Sequence, residues 1–132
     1  AKVDVTKGAY VISEDAAYDT ILIATGSEVN TALGAAHILR ESGRRIRVVS
    51  MPSRELFLSQ SAEYRESVIP SACEKRVTIE AASTFGWEKF AGDKGLCIGL
   101  DHFGASAPYK VLAKKFGFTP EAVAKKIAEF FA

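Results

Sequence analysis

Polar side chains that could carry out acid–base chemistry stand at the ends of the apolar runs of this chain. Glu80 ends one run, and Asp101 with His102 follows the next. A carboxylate and an imidazole in one crevice can serve as general acid and general base. If the runs are parallel strands, their carboxyl ends share one edge of a sheet, which is where ligands bind in such folds. The sequence therefore predicts a ligand or interface crevice made of these residues: Gly26, Ser27, Ser53, Glu80, Ser83, Asp101 and His102.

The same crevice also has a structural interpretation. No activated nucleophile, metal-ligand cluster or glycine cradle accompanies Glu80, Asp101 and His102 in the sequence, and an active site needs such partners. We therefore favour the interpretation in which these residues cap helices and contact another domain or subunit. No catalytic residue and no metal ligand is assigned.

The stretch TILIATGSEV, residues 20–29, is typical of a strand that turns through glycine into a helix. It lacks the three glycines of a dinucleotide fingerprint, since Gly26 stands alone, and it lacks the lysine of a P-loop. A nucleophile elbow would need glycines where the sequence has Thr25 and Val29. We therefore predict that Ser27 caps the helix, and that Glu28 in the first turn disfavours a bound phosphate. Anion binding at this helix end is the less favoured alternative.

Composition argues against several classes of partner. Charged residues make up 25% of the 132 residues and the net charge is +1, so the chain has no nucleic-acid footprint. The longest aliphatic runs have about five residues, against about 18 to 20 for a membrane helix, so no membrane partner is expected. Cys73 and Cys97 lack neighbouring ligands at zinc spacing. We expect reduced thiols, which are typical of the cytoplasm.

Short apolar runs alternate with helical patterns, and this alternation predicts one α/β domain with three layers, α/β/α. The runs at residues 20–24, 46–50, 76–80 and 96–100 have little polar alternation, as expected for parallel strands covered on both faces. Residues 9–12 are expected to form an antiparallel edge strand. The predicted sheet therefore has five strands and is mostly parallel, with one antiparallel strand at an edge.

Helical spacing and boundary signals predict helices between these strands. The predicted helices cover residues 28–42, 54–58, 62–68 and 108–116, and a last one begins after Thr119. Pro108 and Gly117 mark the bounds of the fourth helix, and Thr119 followed by proline marks the start of the fifth. Trp87 lies in an aromatic cluster, residues 85–90, for which a core role and an interface role both remain open.

Several of these stretches, taken in order, resemble the C-terminal domain of transketolase. They are ILIATGSEV, RVVSMPS, YRESVIP, FGWEK, FGASAP and FGFT, at residues 21–29, 47–53, 64–70, 85–89, 103–108 and 116–119. Each motif is modest alone, but their order and spacing are specific. The resemblance runs from about Gly8 to Phe131, so we predict a linker from upstream domains at residues 1–8 and the C-terminal domain at residues 9–132. The equivalent domains of related thiamine-dependent enzymes, such as deoxyxylulose-phosphate synthase and the pyruvate dehydrogenase β subunit, are second choices.

The resemblance implies a parent enzyme that has three α/β domains per chain and works as a homodimer. Such an enzyme is a transferase of the pentose phosphate pathway, which moves a two-carbon ketol unit from a ketose phosphate to an aldose phosphate. Its thiamine diphosphate and divalent cation, magnesium or calcium, lie between the first two domains, so no cofactor is expected in this one. The family's thiamine motif, Gly-Asp-Gly followed by Asn, is broken here at Gly92-Asp93-Lys94, and the only asparagine, Asn30, precedes it.

The sequence leaves three functional hypotheses. The first is a structural and dimer-assembly domain, with a regulatory pocket at the strand ends as an additional role. Its partners are the N-terminal and middle domains of the same chain and a second subunit, and the isolated domain is expected to be inactive. The second is a small-molecule or anion-binding regulatory module that uses the strand-end crevice. The third, independent hydrolysis, would need an activated Ser27 or Ser83 and is the weakest.

Overall fold

A mostly parallel β-sheet forms the middle layer of the fold in the computed structural model, which describes residues 5–26, 28–80, 86–99, 110–112 and 119–132. Within these residues the sheet has six strands in the order β1-β3-β2-β4-β5-β6. They are β1 (Tyr10–Glu14), β2 (Thr20–Ala24), β3 (Ile46–Ser50), β4 (Lys75–Glu80), β5 (Leu96–Gly99) and β6 (Lys110–Leu112). β1 pairs antiparallel with β3, and the other pairings are parallel. The predicted fold class, a mostly parallel sheet with an antiparallel edge strand, is confirmed.

Helices cover both sides of this sheet. They are α1 (Glu28–Glu41), α2 (Arg54–Leu58), α3 (Ala62–Val68), α4 (Glu88–Ala91) and α5 (Pro120–Phe130), and a 3₁₀ turn (Val5–Lys7) precedes them. Hydroxyl side chains set three of the helix starts, because Ser53, Ser61 and Thr119 each accept a hydrogen bond from a backbone N–H three residues later. None of the described helices combines the length and the apolar content that a bilayer crossing requires.

Alternate residues of each strand point to opposite sides of the sheet, and this alternation divides the core in two. On one side the strands are covered by α1 and α5, and we call it the α1–α5 face. Its buried residues are Leu22, Ala24, Ile46, Val48, Val77, Ile79, Leu96 and Ile98 from the strands and Ala32, Ala35, Ala36, Leu39, Val123, Ala124 and Ile127 from the helices. The small residues of α1 allow α5 to approach closely, since a Cβ at Gly34 would lie 2.8 Å from the Cβ of Pro120.

The opposite side carries α2, α3 and α4, and we call it the α2–α4 face. Its buried residues include Ile21, Ile23, Val49 and Cys97 from the strands, Phe57, Val68 and Phe90 from the helices, and the capping positions Ile69 and Trp87. Trp87 is only 3% exposed, and its ring centroid lies 5.5 Å from that of Phe90. Within the aromatic cluster whose role was open, Trp87 and Phe90 are therefore core residues, whereas Phe85 lies outside the described residues.

The chain enters the domain across the α2–α4 face. The carbonyl oxygen of Gly8 accepts a hydrogen bond from the N–H of Ser53 at 3.1 Å, and the hydroxyl of Tyr64 donates to the carbonyl of Ala9 at 2.7 Å. Gly8 has a φ of +86°, and a Cβ at this position would fall on the backbone of Phe57. The residues directly before β1 are therefore packed on α2 and α3, while the predicted boundary between linker and domain stays a prediction.

One predicted helix is wrong where the structure describes it. Residues 108–116 were expected to be helical, but Lys110–Leu112 form β6, which pairs parallel with β5 in a register that places Lys110 beside Cys97. Pro108 and Gly117 mark the two ends of this segment in the sequence, but they do not determine whether the residues between them form a helix or a strand. The backbone groups at the edge of β5 offer partners that a nearby segment can pair with, and such tertiary pairing overrides weak local propensity.

Candidate functional site

The predicted crevice at the strand ends is partly visible in the structure. Gly26, Ser53 and Glu80 belong to the described residues, and each lies at or just beyond the carboxyl end of a parallel strand. The other predicted members lie outside the described residues: Ser27, Ser83, Asp101 and His102. The acid–base pair proposed from the sequence, Glu80 with His102, therefore stays a prediction.

A hydrogen bond joins the ends of the two central strands. β2 and β4 are neighbours with Ala24 beside Ile79, so Thr25 and Glu80 follow at the same level. The hydroxyl of Thr25 donates to Oε1 of Glu80 at 2.9 Å. The sequence placed both residues at strand ends but gave Thr25 no role, because it does not reveal which strands are adjacent. The sequence feature that could have indicated this bond is that Thr25 and Glu80 each stand at the end of an apolar run.

Gly26 forms the turn that leads from β2 into α1. Its φ is +45°, and no atom of the described residues beyond its chain neighbours lies within 4 Å of the position that a Cβ would take. The carbonyl oxygens of Thr25 and Gly26 accept the N–H groups of Glu28 and Val29 at 2.8 and 3.2 Å, which starts the helix. The space beside Gly26 is open, so this glycine serves the turn and does not line a cradle among the described residues.

Ser53 has a structural role in the described part of the chain. Its Oγ accepts a hydrogen bond from the N–H of Leu56 at 3.2 Å and so caps α2. Its own N–H donates to Gly8, in the segment that precedes β1. Ser53 is therefore a helix cap in the structure, while the interpretation in which Glu80, Asp101 and His102 cap helices stays a prediction.

The residues that break the thiamine motif lie in a surface turn between α4 and β5. Gly92 has a φ of +76°, Asp93 is exposed, and Nζ of Lys94 lies 3.4 Å from Oε1 of Glu74. Among the described residues no group of three or more His, Cys, Asp or Glu side chains could hold a metal ion. This turn therefore does not fit a metal-bound diphosphate, because its acid stands alone and its lysine pairs with a neighbouring acid.

The fold shifts the pKa values of two side chains in the described part of the chain, Asp15 and Cys73. The N–H of Ile46 and the guanidinium of Arg40 both donate to the carboxylate of Asp15, at 2.8 and 2.7 Å, and they hold its pKa below the usual range. Burial raises the pKa of the Cys73 thiol, whose Sγ donates to the carbonyl of Asp19 at 3.4 Å. Both cysteines are free, and Cys97 is buried. Cys73 is therefore a weak nucleophile at neutral pH.

Sequence reasoning missed a basic cavity on the α2–α4 face. The cavity has a volume of about 260 Å³ and lies between α2, α3 and α4, and we call it the basic cavity. Three cations line it, Arg65, Arg76 and Lys89, together with one carboxylate, Glu66. Its apolar wall consists of Phe57, Leu58, Ala62, Ile69 and Phe90. The cations come from three separate elements, so no local spacing in the sequence could have grouped them.

A second cavity adjoins the basic cavity. It has a volume of about 240 Å³ and shares three lining residues with the first, Leu58, Lys89 and Phe90. Arg54 and one carboxylate, Glu55, line it as well, and the guanidinium carbon of Arg54 lies 4.9 Å from the ring centroid of Trp87. The two cavities together make the α2–α4 face concave and positively charged, whereas the predicted strand-end residues Gly26, Ser53 and Glu80 line neither of them.

The chain is similar over nearly its whole length to proteins of one family. The family model described as the transketolase-like TK C-terminal domain matches residues 8–119. Transketolase-1, chloroplastic, of Arabidopsis thaliana is 54% identical over 130 residues, or 96% of this chain. Transketolase of Aquifex aeolicus is 50% identical over 126 residues, or 95% of this chain. Among solved structures, transketolase from Leishmania mexicana matches 96% of this chain with a TM-score of 0.77 and 41% identity.

These relatives are much longer than this chain. The chain spans 18% of the length of the Arabidopsis, Aquifex and Leishmania proteins. More than four fifths of each relative therefore has no counterpart in these 132 residues.

Proposed function

This chain belongs to the family of transketolase C-terminal domains, and on that premise we propose that it is the structural and dimer-assembly domain of a transketolase. The observation that carries this proposal is the match over residues 8–119 to a C-terminal domain, in a chain that spans 18% of its relatives. The proposed parent transfers a two-carbon ketol unit from a ketose phosphate to an aldose phosphate in the pentose phosphate pathway. Thiamine diphosphate and a magnesium or calcium ion would be bound by the preceding domains.

The residues of this chain support a structural role rather than a chemical one. Ser53 caps a helix, Thr25 with Glu80 ties two strand ends together, and the turn at Gly92 does not fit the cofactor. An isolated domain of this kind is expected to have no ketol-transfer activity. A homodimer of complete chains is the proposed working form.

The preceding domains are proposed to pack against α2. The segment that leads back to them lies on α2 and α3, since Gly8 bonds to Ser53 and Nζ of Lys7 lies 4.9 Å from the ring centroid of Tyr64. Beside this segment α2 presents two exposed leucines, Leu56 at 48% and Leu58 at 41%. Exposed large apolar side chains grouped on one helix are typical of an interface.

Two further proposals concern the setting of the protein. Reduced thiols are compatible with a cytoplasmic location, although the Arabidopsis relative is named as chloroplastic. A net charge of +1 gives no support for a nucleic-acid partner, and we propose protein partners only.

A split-chain experiment tests the structural role. The parent's preceding domains and this chain are produced separately, and ketol transfer is measured with thiamine diphosphate and magnesium for each part alone and for the mixture. We expect no turnover by this chain, and we expect the mixture to exceed the preceding domains alone in activity and in dimer content by sedimentation. Turnover by this chain alone would show that the proposal is wrong.

A variant pair tests the packing of α2. Replacing Leu56 and Leu58 together by serine should weaken the association of this chain with the preceding domains. Replacing the exposed Lys126 on α5 by serine is the matched control and should leave the association unchanged. Equal association of all three proteins would place the contact elsewhere.

A further inference from the structure

The basic cavity combines an excess of positive charge with apolar walls. Its three cations face a single carboxylate, Glu66, which already accepts hydrogen bonds from the N–H and the hydroxyl of Ser71 at 3.2 Å. The side chain of Arg65 donates one hydrogen bond within the described part of the chain, from Nε to the carbonyl of Gln60 at 3.2 Å. The lining therefore contains more positive charge than its own carboxylate can balance.

Nε of Arg76 lacks a hydrogen-bond acceptor among the described residues, whereas Nε of Arg47, on the same face of the sheet, has one in Glu14. Arg47 and Arg76 lie on either side of Ile21 in the strand register, so both point toward α2, α3 and α4. Arg47 donates to Glu14 and to the carbonyls of Ser67 and Val68, at distances of 2.8 to 3.0 Å. In contrast, Nε of Arg76 is buried and has no hydrogen-bond partner among the described residues.

Orphaned polar atoms of this kind are rare in folded proteins. The described residues contain one other, Oε2 of Glu88, and Glu88 does not line the basic cavity. The unsatisfied donor of Arg76 therefore calls for a hydrogen-bond acceptor that is not among the described residues.

The turn at Gly92 packs against the guanidinium of Arg76. A Cβ at Gly92 would lie 2.9 Å from Nη2 of Arg76 and 3.4 Å from its Cζ, so the guanidinium packs against the glycine backbone. A guanidinium with a neighbour packed against it has less conformational freedom to lose when it binds an anion.

We propose that the basic cavity between α2, α3 and α4 binds a small phosphate-bearing anion, through Arg65, Arg76 and Lys89. A phosphate matches the planar fork of a guanidinium and carries up to two negative charges, which three cations can balance. The apolar wall of Phe57, Ile69 and Phe90 suits the organic part of a compact phosphate monoester, and the volume of about 260 Å³ limits its size. None of the described strand-end residues, Gly26, Ser53 and Glu80, lines this cavity, whereas Leu58 belongs both to its wall and to the contact proposed for α2.

Titration of the 132-residue chain with inorganic phosphate and with glycerol 3-phosphate tests the proposal. Backbone amide shifts are followed by NMR at constant ionic strength, which sodium chloride maintains because exposed charge effects are screened by salt. We expect saturable shifts centred on Arg65, Arg76 and Lys89. Tighter binding of glycerol 3-phosphate would identify a monoester as the ligand, and tighter binding of phosphate would identify the free ion.

Variants connect the shifts to the named residues. Arg76→Gln should weaken binding about tenfold or more, as expected for loss of hydrogen bonds to a charged group. Arg76→Lys keeps the charge but removes the fork, and it should bind with intermediate affinity. Lys126→Gln, on α5, removes an exposed cation outside the cavity and should bind as the unmodified chain does. The near-UV signal of Trp87 shows whether each variant remains folded.

Two outcomes would overturn the proposal. The absence of a saturable shift up to about 50 mM phosphate would leave no site of even millimolar affinity. Equal weakening by Lys126→Gln and Arg76→Gln would show that phosphate responds to net charge and not to the cavity.

Discussion

The two faces of the sheet differ in how completely their helices cover it. The α1–α5 face is covered by helices of 14 and 11 residues whose buried side chains are aliphatic. The α2–α4 face is covered by helices of 5, 7 and 4 residues. Side chains do not fill the space where these short helices meet, and the basic cavity and the adjoining cavity lie there. Among the described residues the α1–α5 face is therefore the more completely covered, and we call it the sealed face; the α2–α4 face, which carries the two cavities, is the open face.

The strands contribute buried aliphatic side chains to both faces of the sheet. In β2 the sequence Thr20-Ile-Leu-Ile-Ala24 is buried throughout, with Leu22 toward α1 and α5 and Ile21 toward α2 to α4. The difference between the faces therefore arises from the helices and from the charged residues Arg47 and Arg76 on the strands. Substitutions on the sealed face should change stability, and those on the open face should change binding.

The largest expected effect comes from one chemical change made on each face. Leu22→Ala removes a fully buried side chain from the α1–α5 face and should lower the free energy of unfolding by about 2 to 5 kcal/mol. Leu58→Ala, at the 41% exposed Leu58 of α2, should lower it by no more than about 1 kcal/mol. Denaturant titration of both variants measures the difference.

Equal losses for the two leucines would contradict the distinction between a sealed face and an open face. If Leu22→Ala leaves too little folded protein to titrate, Ile79→Val on the same face should still cost about 0.5 to 1.5 kcal/mol. Phosphate affinity should be unchanged in both Leu22→Ala and Ile79→Val wherever the protein is folded.

A smaller loss of stability is expected at the turn that supports Arg76. Gly92→Ala places a side chain at a φ of +76° and a ψ of −178°, a region that only glycine populates readily, and its Cβ would also meet the Arg76 guanidinium. We expect a loss of about 1 to 3 kcal/mol together with weaker phosphate binding. Gly26→Ala is the control, because Gly26 also has a positive φ but none of the described residues beyond its chain neighbours would meet its Cβ. It should cost less stability and leave phosphate binding intact.

The sequence predicted the sheet well because its strands are local patterns. The apolar runs ending at Ala24, Ser50 and Glu80 needed no knowledge of neighbours, since parallel strands covered on both sides are apolar throughout. β6 was missed because its conformation follows from pairing with β5, which local signals at Pro108 and Gly117 do not report.

The candidate site was harder to predict from the sequence than the fold. Listing strand ends placed Thr25 and Glu80 at one edge, but only the order of the strands shows that they are bonded. The basic cavity could not be predicted, because Arg65, Arg76 and Lys89 belong to a helix, a strand and a second helix. Each of these cations, taken alone in the sequence, is typical of an ordinary solvated charge.

The bond at the strand ends should contribute to stability and not to phosphate binding. Thr25→Val removes the hydroxyl that donates to Glu80 and leaves a half-buried carboxylate oxygen without this donor. We expect a loss of about 1 to 2 kcal/mol in the free energy of unfolding. Ser67→Ala removes an exposed hydroxyl that donates to the carbonyl of Tyr64 and should have a smaller effect. A change in phosphate affinity for Thr25→Val would contradict the expectation that phosphate binding on the open face is independent of the bond between Thr25 and Glu80.

The smallest effect on stability is expected when the pH is lowered and Asp15, at the edge of the sealed face, becomes protonated. The N–H of Ile46 and the guanidinium of Arg40 hold the pKa of Asp15 below its usual value of 3.8, so the folded state favours the ionised carboxylate. The stabilisation is therefore fully present above about pH 4 to 5, and it is lost as the pH falls through 3.8 toward the lower folded-state pKa. Asp15→Asn should flatten this part of the pH dependence of unfolding, whereas Asp93→Asn, which alters an exposed acid in the turn beside the open face, should not. Asp15 joins α1 to the start of β3 through its bonds to Arg40 and Ile46, whereas Asp93 joins no helix to the sheet among the described residues. Equal flattening by both variants would therefore show that the response to acid depends on net charge and not on the sealed face.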